Sequence, residues 1–430
     1  MSGMTVAIIV FLFLLFFGMP IAFAIGISGL TFFLATPGGL PLTVVAQKAM
    51  STTQSFTMLA IPLFIFAGNL MNNTGITTRL VRLADVLTGH MYGNIGQVSC
   101  VLSALMGGCS GSAAADAAME CRLLGPEMLK RGYSKGWSAA INGWSSLIVC
   151  TIPPSMGLIL YGSVGEVSIG RLFTAGLVPG ILMTAILMCA VSISARRRNY
   201  VPARPKRASV KEICIAIKDG IWALLFPIFL IVFLRFGIMT ASESGAFSAI
   251  YAIVIGKFVY KELTLQSFLV AIKDSTKDIA MVALILAFSG IFAYGIVYDN
   301  IPQVMAQGLM SITTNKYVML GLICALLLFM GMFVQTTVIC LMMTPILLPV
   351  AKSIGVDPVH FGLIMMTCCT SGIMTPPVGS ALYATSGIMG CTPEETFKEG
   401  MPFFIGILAT VLFMVFFPDI VLWLPNLVFN

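Results

Sequence analysis

Gly-Gly-Cys-Ser-Gly-Ser-Ala-Ala-Ala-Asp-Ala-Ala, residues 107–118, is the stretch on which the fold of this chain turns. It lies between two apolar helical runs, about 93–106 and 113–130, so glycine and small hydroxyl residues interrupt what would otherwise be helix at membrane depth. Lipid offers no partner for free N–H and C=O groups, so such a break survives only where protein or a watery cavity satisfies it. In membrane proteins that move solutes, breaks of this kind surround a substrate or ion site. In other bundles a run of small residues only lets two helices pack closely. The second half of the chain repeats the arrangement, which favours the site.

Working outward, composition sets the class. Apolar residues make up 58% of the chain and charged residues 10%, against roughly 25% charged in a soluble domain, and the mean hydropathy is +0.99. Several runs exceed the ~20 apolar residues that span a bilayer as helix, and nothing alternates with the dyad rhythm of a membrane β-barrel. The expectation is an all-α polytopic membrane protein and not an enzyme. Cys100, Cys150, Cys189, Cys324, Cys340, Cys368 and Cys369 sit inside apolar runs, where they act as small hydrophobes and not as a disulfide framework. His90 and His360 stand far apart without a ligand cluster, which argues against a transition-metal site. No Walker-type Gly-x-x-x-x-Gly-Lys occurs, which removes ATP hydrolysis within this chain. The net charge of +7 reads as cytoplasmic loop charge, with no basic aromatic groove for nucleic acid.

Either side of the opening stretch the chain reads as follows. Met4 to about Leu34 is a long apolar segment broken near Gly18-Met19-Pro20, expected as a retained membrane helix, and Thr52–Met71 is a span. Residues 76–88 set Leu80, Leu83, Val86 and Leu87 against Arg79, Arg82 and Asp85, the pattern of an interfacial amphipathic helix. After the hairpin of about 93–130 comes a run of about 138–163 with Thr151-Ile152-Pro153-Pro154-Ser155 at its centre. Two prolines remove donors and bar the preceding residue from helix, so this element is discontinuous. A span at 172–195 closes the first half, 1–195. Residues 196–218 form a basic linker carrying Arg196, Arg197, Arg198, Arg204, Lys206, Arg207, Lys211 and Lys218. The second half, 219–430, has spans near 220–237 and 243–260, an amphipathic piece at 263–276 and a span near 278–298. A second hairpin of about 317–351 is interrupted at Gly331-Met332-Phe333-Val334-Gln335-Thr336-Thr337. A second broken helix of about 361–387 is centred on Thr375-Pro376-Pro377-Val378-Gly379, and a last span covers 401–423.

The order of elements recurs in register. Met106-Gly107 matches Met330-Gly331, Pro153-Pro154 matches Pro376-Pro377, Leu160-Tyr161 matches Leu382-Tyr383, and Phe173 and Gly176 match Phe397 and Gly400. A series of this kind is a duplicated unit. Placing the basic linker in the cytoplasm gives roughly nine full crossings, a cytoplasmic N-terminus and an external C-terminus. Arg79, Arg82, Lys130, Arg131, Lys135, Lys257, Lys261, Lys273, Lys277 and Lys398 then fall inside, and Lys48, Arg171, Arg235, Lys316 and Lys352 outside. One hairpin re-enters from each side, so the repeats are inverted, as in alternating-access carriers with a midplane site. The amphipathic pieces at 76–88 and 263–276 would be the hinges.

The chemistry expected at the breaks is simple. A helix that starts at a break points its positive end at the midplane, which suits an anion, and a helix that ends there offers carbonyls to a cation. Ser110, Ser112, Ser155, Thr336, Thr337 and Thr375 add hydroxyls, and Asp116 stands one turn into its helix. Such hard oxygen ligands fit an alkali cation. Asp116 is a substrate or ion candidate by its depth, with helix capping or pairing to Arg122 as the alternatives. Ser112, Asp116, Ser155, Thr337 and Thr375 are the substrate candidates.

Several motifs carry a family resemblance: Gly-Ser-Ala-Ala-Ala-Asp-Ala at 111–117, Lys-Arg-Gly-Tyr at 130–133, Ile-Pro-Pro-Ser at 152–155, Gly-Arg-Leu-Phe-Thr-Ala-Gly-Leu-Val-Pro-Gly at 170–180, Pro-Ile-Leu-Leu-Pro-Val at 345–350 and Met-Thr-Pro-Pro-Val-Gly at 374–379. Together they resemble the large membrane subunit of tripartite ATP-independent periplasmic (TRAP) transporters over nearly the whole chain. The resemblance implies sodium-driven import of an organic acid, sialic acid or C4-dicarboxylate-like, across a bacterial inner membrane by an elevator motion. It also implies a separate four-helix small membrane subunit, a soluble periplasmic binding protein, and no cofactor beyond sodium as coupling ion. Carried over by position, the sodium sites fall at Ser103, Gly107, Ser110 and Ser112 with the Thr151–Ser155 loop, and at Gly331, Thr336 and Thr337 with the Thr370–Thr375 loop. Glu120 and Arg122, where the family more often has small apolar residues, and Gln335-Thr336-Thr337 at the second tip depart from the usual pattern. The remaining alternatives are a channel, which would need a continuous lined pore, an ATP-driven permease, which would need a docking helix, a scaffolding membrane protein, and a proton-coupled anion carrier without a binding protein.

Overall fold

The computed structural model describes residues 3–36, 38–54, 56–107, 112–313 and 315–429, and among them there is no strand. The first apolar run is two helices, α1 (Gly3–Phe16) and α2 (Ile21–Ala35), laid side by side. Gly18 takes φ +74° and Pro20 starts the next helix, so the break reverses the chain instead of bending one helix. A surface helix α3 (Leu42–Thr53), which the sequence reading passed over, buries none of its residues. It separates from α4 (Ala60–Asn72) through a 3₁₀ turn at Phe56–Leu59, so the span expected over 52–71 is shorter. Helix α5 (Ile76–Thr88) is amphipathic as expected, with Leu80, Leu83 and Val86 buried.

The opening stretch separates α6 (Asn94–Met106) from α7 (Ala113–Lys130). The first proline-centred element runs as α8 (Lys135–Ser145), a 3₁₀ segment Ser146–Cys150, a break, and α9 (Met156–Gly165). Helix α10 (Ile169–Arg197) takes in the first linker arginines and α11 (Val210–Arg235) the last lysines. Ser209 and Glu212 form a reciprocal cap at the start of α11, so the non-helical linker shrinks to 198–209. After α12 (Ala241–Val254), the expected arm at 263–276 and span at 278–298 prove to be one 34-residue helix, α13 (Leu265–Tyr298). No glycine or proline lies between Leu265 and Ser289, so the charged band around Lys277 and Asp278 interrupts the hydropathy but not the backbone.

Helix α14 (Ile301–Ile312) leads to the second hairpin, α15 (Lys316–Gly331) and α16 (Thr336–Ser353), and to the second broken element, α17 (Pro358–Gly372) and α18 (Ser380–Met389). Helix α19 (Pro393–Phe416) stops before Pro418, which bars Phe417 from helix, and α20 (Pro418–Phe429) follows. The last span is thereby divided. By length and composition α10, α11, α13, α16 and α19 can each cross a membrane.

Helices α6–α10 and α15–α20 pack as one body, and the two repeated units interlock within it. The second helix of each hairpin rests on the other unit's broken element, α7 on α18 and α16 on α9, while α8 packs on α19 and α10 on α17. Tyr161 Oη in α9 donates to the Pro358 carbonyl of α17 at 2.6 Å. Trp137 and Trp144 of α8 are fully buried, with Phe403 and Phe404 of α19 at ring distances of 6.1 and 5.4 Å. Helices α2, α3, α4, α12 and α13 form a second body, and α5 packs on both α6 and α11.

Candidate functional site

Each hairpin tip lies against the break of its own unit. At the first tip, a Cβ added to Gly107 would stand 2.7 Å from Ile152 Cβ, so only glycine lets the end of α6 sit on the Thr151–Ser155 loop. At the second, a Cβ on Gly331 would stand 2.5 Å from the Cys369 carbonyl and 2.9 Å from Gly372 Cα. Gly379 N–H then donates to the Met332 carbonyl at 2.9 Å, tying the second break to its tip.

Between the tips is a cavity of about 270 Å³. Its wall holds the first residues of four helices: Ala113 of α7, Met156 of α9, Thr336 of α16 and Ser380 of α18. The sequence pointed to two such helix starts, and the fold brings four. Ser155 caps α9 by accepting from Leu158 N–H at 3.4 Å, whereas Ser112, Gln335 and Gly379 make no side-chain cap for α7, α16 and α18. Uncapped helix starts present N–H groups and the positive ends of their dipoles, which is the setting for an anion. Helices α4 and α13 also line it, with Asn69, Asn72 and Asp278. Among the described lining residues no Lys, Arg or His occurs.

Behind α7 sits a second polar cluster. Glu120 is fully buried, and Ser99 Oγ and Ser103 Oγ of α6 donate to its Oε2 and Oε1, each at 2.6 Å. Ser145 Oγ of α8 lies 3.1 Å from Oε2 and 2.7 Å from Ser99 Oγ, and donates to the Ile141 carbonyl at 2.7 Å. The carboxyl group therefore joins α6, α7 and α8 through hydroxyls.

Of the residues named from sequence, Ser112, Thr336 and Thr337 meet at the cavity. Asp116, Ser155, Thr151, Thr370 and Thr375 are buried in the packing of α7 and the breaks, outside its lining. Thr370 and Thr375 donate to the Met366 and Ser371 carbonyls, at 2.6 and 2.9 Å, so their oxygens keep lone pairs for a further partner. Ser103 likewise spends its hydrogen on Glu120. Ser110 lies outside the described residues. Arg122 is exposed while Asp116 is buried, and no ion pair between them occurs among the described residues, so that alternative for Asp116 is not seen. Asn69, Asn72, Asp278 and Ser380 were missed. Asp278 carries a weak signal, as the last of four charges (Lys273, Asp274, Lys277, Asp278) before an apolar run, and in the sequence it marks only the edge of a span.

The fold is an all-helical one with five helices long and apolar enough to cross a membrane among the described residues, and solved membrane proteins share it. A solved structure of the Alcanivorax borkumensis YdaH transporter, described as having an unusual topology, matches with a TM-score of 0.68 over 97% of this chain and 98% of that one, at 11% identity. Neisseria gonorrhoeae MtrF, described in a class of antimetabolite efflux pumps, matches with a TM-score of 0.55 over 87% and 84%, at 14% identity. These likenesses concern the fold alone.

The family follows from sequence: the DctM component of tripartite ATP-independent periplasmic transporters matches residues 8–420, and this chain belongs to that family. It is 36% identical over 415 residues to the sialic acid TRAP transporter large permease protein SiaM of Vibrio cholerae, covering 96% of each chain. It is 32% identical to the C4-dicarboxylate TRAP transporter large permease protein DctM of Rhodobacter capsulatus, covering 95% of this chain and 96% of that one. It is also 35% identical to the isethionate TRAP transporter permease protein DctMQ of Oleidesulfovibrio alaskensis, covering 94% of this chain and 63% of the relative. The chain is thus a TRAP large permease subunit, a transporter component and not an enzyme.

Proposed function

We propose that this permease imports a small organic acid, driven by sodium, across a bacterial inner membrane, with its N-terminus cytoplasmic and its C-terminus periplasmic. The observation that carries the reading is the convergence of four helix starts, three without side-chain caps, on one cavity with no basic side chain among its described lining residues. An anion there is held by backbone N–H groups and dipoles, with Ser112, Thr336 and Thr337 as hydroxyl partners. The relatives named for sialic acid, C4-dicarboxylates and isethionate are all named for anions. Sodium would be held where each tip meets its break. Gly107, Ser103, Ser110, Ser112 and Thr151 form one set, and Gly331, Thr336, Thr337 and Thr370 the other. The donor set is hydroxyl and carbonyl oxygen, with the Thr370 and Ser103 hydrogens already directed elsewhere, which suits a hard monovalent cation. A bound cation beside the helix starts lowers the cost of bringing in the acid. Alternating access then moves the interlocked body as an elevator against the second body, in complex with a separate small subunit and a soluble binding protein.

The test is uptake into proteoliposomes holding the reconstituted complex, with sodium replaced by choline and the pH gradient set independently. Saturable uptake that needs sodium and the binding protein is expected. Undiminished uptake driven by pH alone would favour the proton-coupled reading, for which Asp116 and Glu120 would be the relay, and would overturn the sodium assignment. Full uptake without a binding protein would overturn the tripartite one.

A further inference from the structure

The cavity carries one charged side chain among the described lining residues, and its sign is wrong for a second carboxylate. Asp278 of α13 lines it together with Ser112 and Thr336–Thr337. Its position is fixed from the neighbouring helix: Asn69 Nδ2 of α4 donates to Asp278 Oδ2 at 3.1 Å and to Ser275 Oγ at 3.1 Å. Ser275 in turn donates to the Ala271 carbonyl at 2.6 Å, which directs its hydrogen along α13 and leaves its oxygen for Asn69. None of the ion pairs among the described residues includes Asp278. Asn72 also lines the cavity, one turn along α4 from Asn69, and adds a second amide. The cavity therefore combines N–H donors and positive dipole ends, from the starts of α7, α9, α16 and α18, with a carboxylate and two amides from α13 and α4.

We propose that Asp278 is a specificity-determining residue of this permease, selecting anions that carry a hydroxyl or ammonium donor on the end away from the acid group and excluding simple dicarboxylates. The inference rests on the carrier reading above and narrows its substrate class. A hydroxyl or ammonium presented to Asp278 makes a charge-assisted hydrogen bond. A second carboxylate in the same place meets a like charge held in position by Asn69, with no basic side chain among the described lining residues to offset it. Discrimination thus comes from a repulsive element as much as an attractive one.

The experiment reads ligand-induced thermal stabilisation of the purified membrane complex in sodium, without the binding protein, so that delivery plays no part. Sialic acid and isethionate serve as hydroxylated monoanions, and succinate as the dicarboxylate. The wild type should be stabilised by a hydroxylated monoanion at concentrations about 10-fold lower than by succinate, a difference of one charge-assisted hydrogen bond. In Asp278→Asn, the hydroxylated monoanions should weaken about 10-fold while succinate gains, and the half-saturating sodium concentration should stay unchanged. Asparagine still accepts from Asn69, so the ligand-free melting temperature should stay at the wild-type value. Asp278→Ala, lacking that acceptor, should show the same shift of ligand preference with a lower ligand-free melting temperature. Equal stabilisation of the wild type by succinate, or an unchanged preference in both variants, would overturn the Asp278 assignment alone. If no acid of the panel stabilises the wild type in sodium, the carrier reading fails and this inference with it.

Discussion

Glu120 shows how far single residues can be read. The sequence marks it as a departure from the family's small apolar pattern but gives no hint of its partners, because Ser99, Ser103 and Ser145 reach it from two other helices. Replacing it with alanine leaves two buried hydroxyls without their acceptor, at a cost of about 1–3 kcal/mol. We expect Glu120→Ala to lower the melting temperature of the purified subunit in detergent. Glu120→Gln, which keeps one carbonyl oxygen and can donate to Ser99 Oγ, should lose less than half as much. Equal melting temperatures for both variants and the wild type would mean that this cluster does not hold α6, α7 and α8 together. The hydroxyl candidates Ser112, Thr336 and Thr337 were legible for a different reason: they sit where helix stops, and a helix stop at membrane depth is visible in the chain itself.

Elements were legible where glycine or proline interrupts them and less so where charge does. Both proline breaks and the second tip fall where the sequence places them, and α6 and α7 stop and start at Met106 and Ala113, since a missing donor or a missing Cβ acts locally. The band Lys273, Asp274, Lys277 and Asp278 misled, because hydropathy was read as geometry, and α13 passes through it unbroken. With 263–276 fixed inside a 34-residue helix, it is not a separate hinge, which leaves α5, packed on α6 of the interlocked body and on α11, as the one separate amphipathic arm of the two expected. Arg79 pins α5 there: its guanidinium lies 3.8 Å from the Tyr260 ring centroid and 2.7 Å from Glu262. The glycines at the second tip are testable in the same terms. Gly331→Ala forces α15 away from Cys369 and Gly372, both backbone contacts that cannot rotate aside. Overpacking of this kind costs about 1–3 kcal/mol. The variant should fold less stably and lose uptake, whereas Gly321→Ala in the same helix, whose Cβ would meet nothing within 4 Å, should keep wild-type uptake. Wild-type uptake by both variants would show that the close approach at the tip is not needed.

At the scale of the whole molecule, the two halves were foreseen as repeats, but the cavity wall was not, because α4 and α13 come together across more than 200 residues and neither carries a motif. That wall belongs to the second body, while the helix starts belong to the interlocked one, so the cavity lies between the parts that alternating access would move. Linking the two should stop transport without removing the site. In a cysteine-free background, Met281→Cys on α13 and Met156→Cys on α9, both lining the cavity and neither placed as a ligand, provide the pair. After reaction with a bifunctional thiol reagent, sodium-dependent uptake should fall to background, while ligand-free thermal stability rises because the linked bodies no longer separate. Each single-cysteine protein treated the same way should keep most of its uptake, which separates the link from blockage by the reagent. A second pair on one body, Met156→Cys of α9 and Met366→Cys of α17, should tolerate the link far better, since both ends travel together if the interlocked helices move as a block. Uptake that survives the link between α13 and α9, or fails equally with the link between α9 and α17, would rule out motion of one body against the other as the transport step.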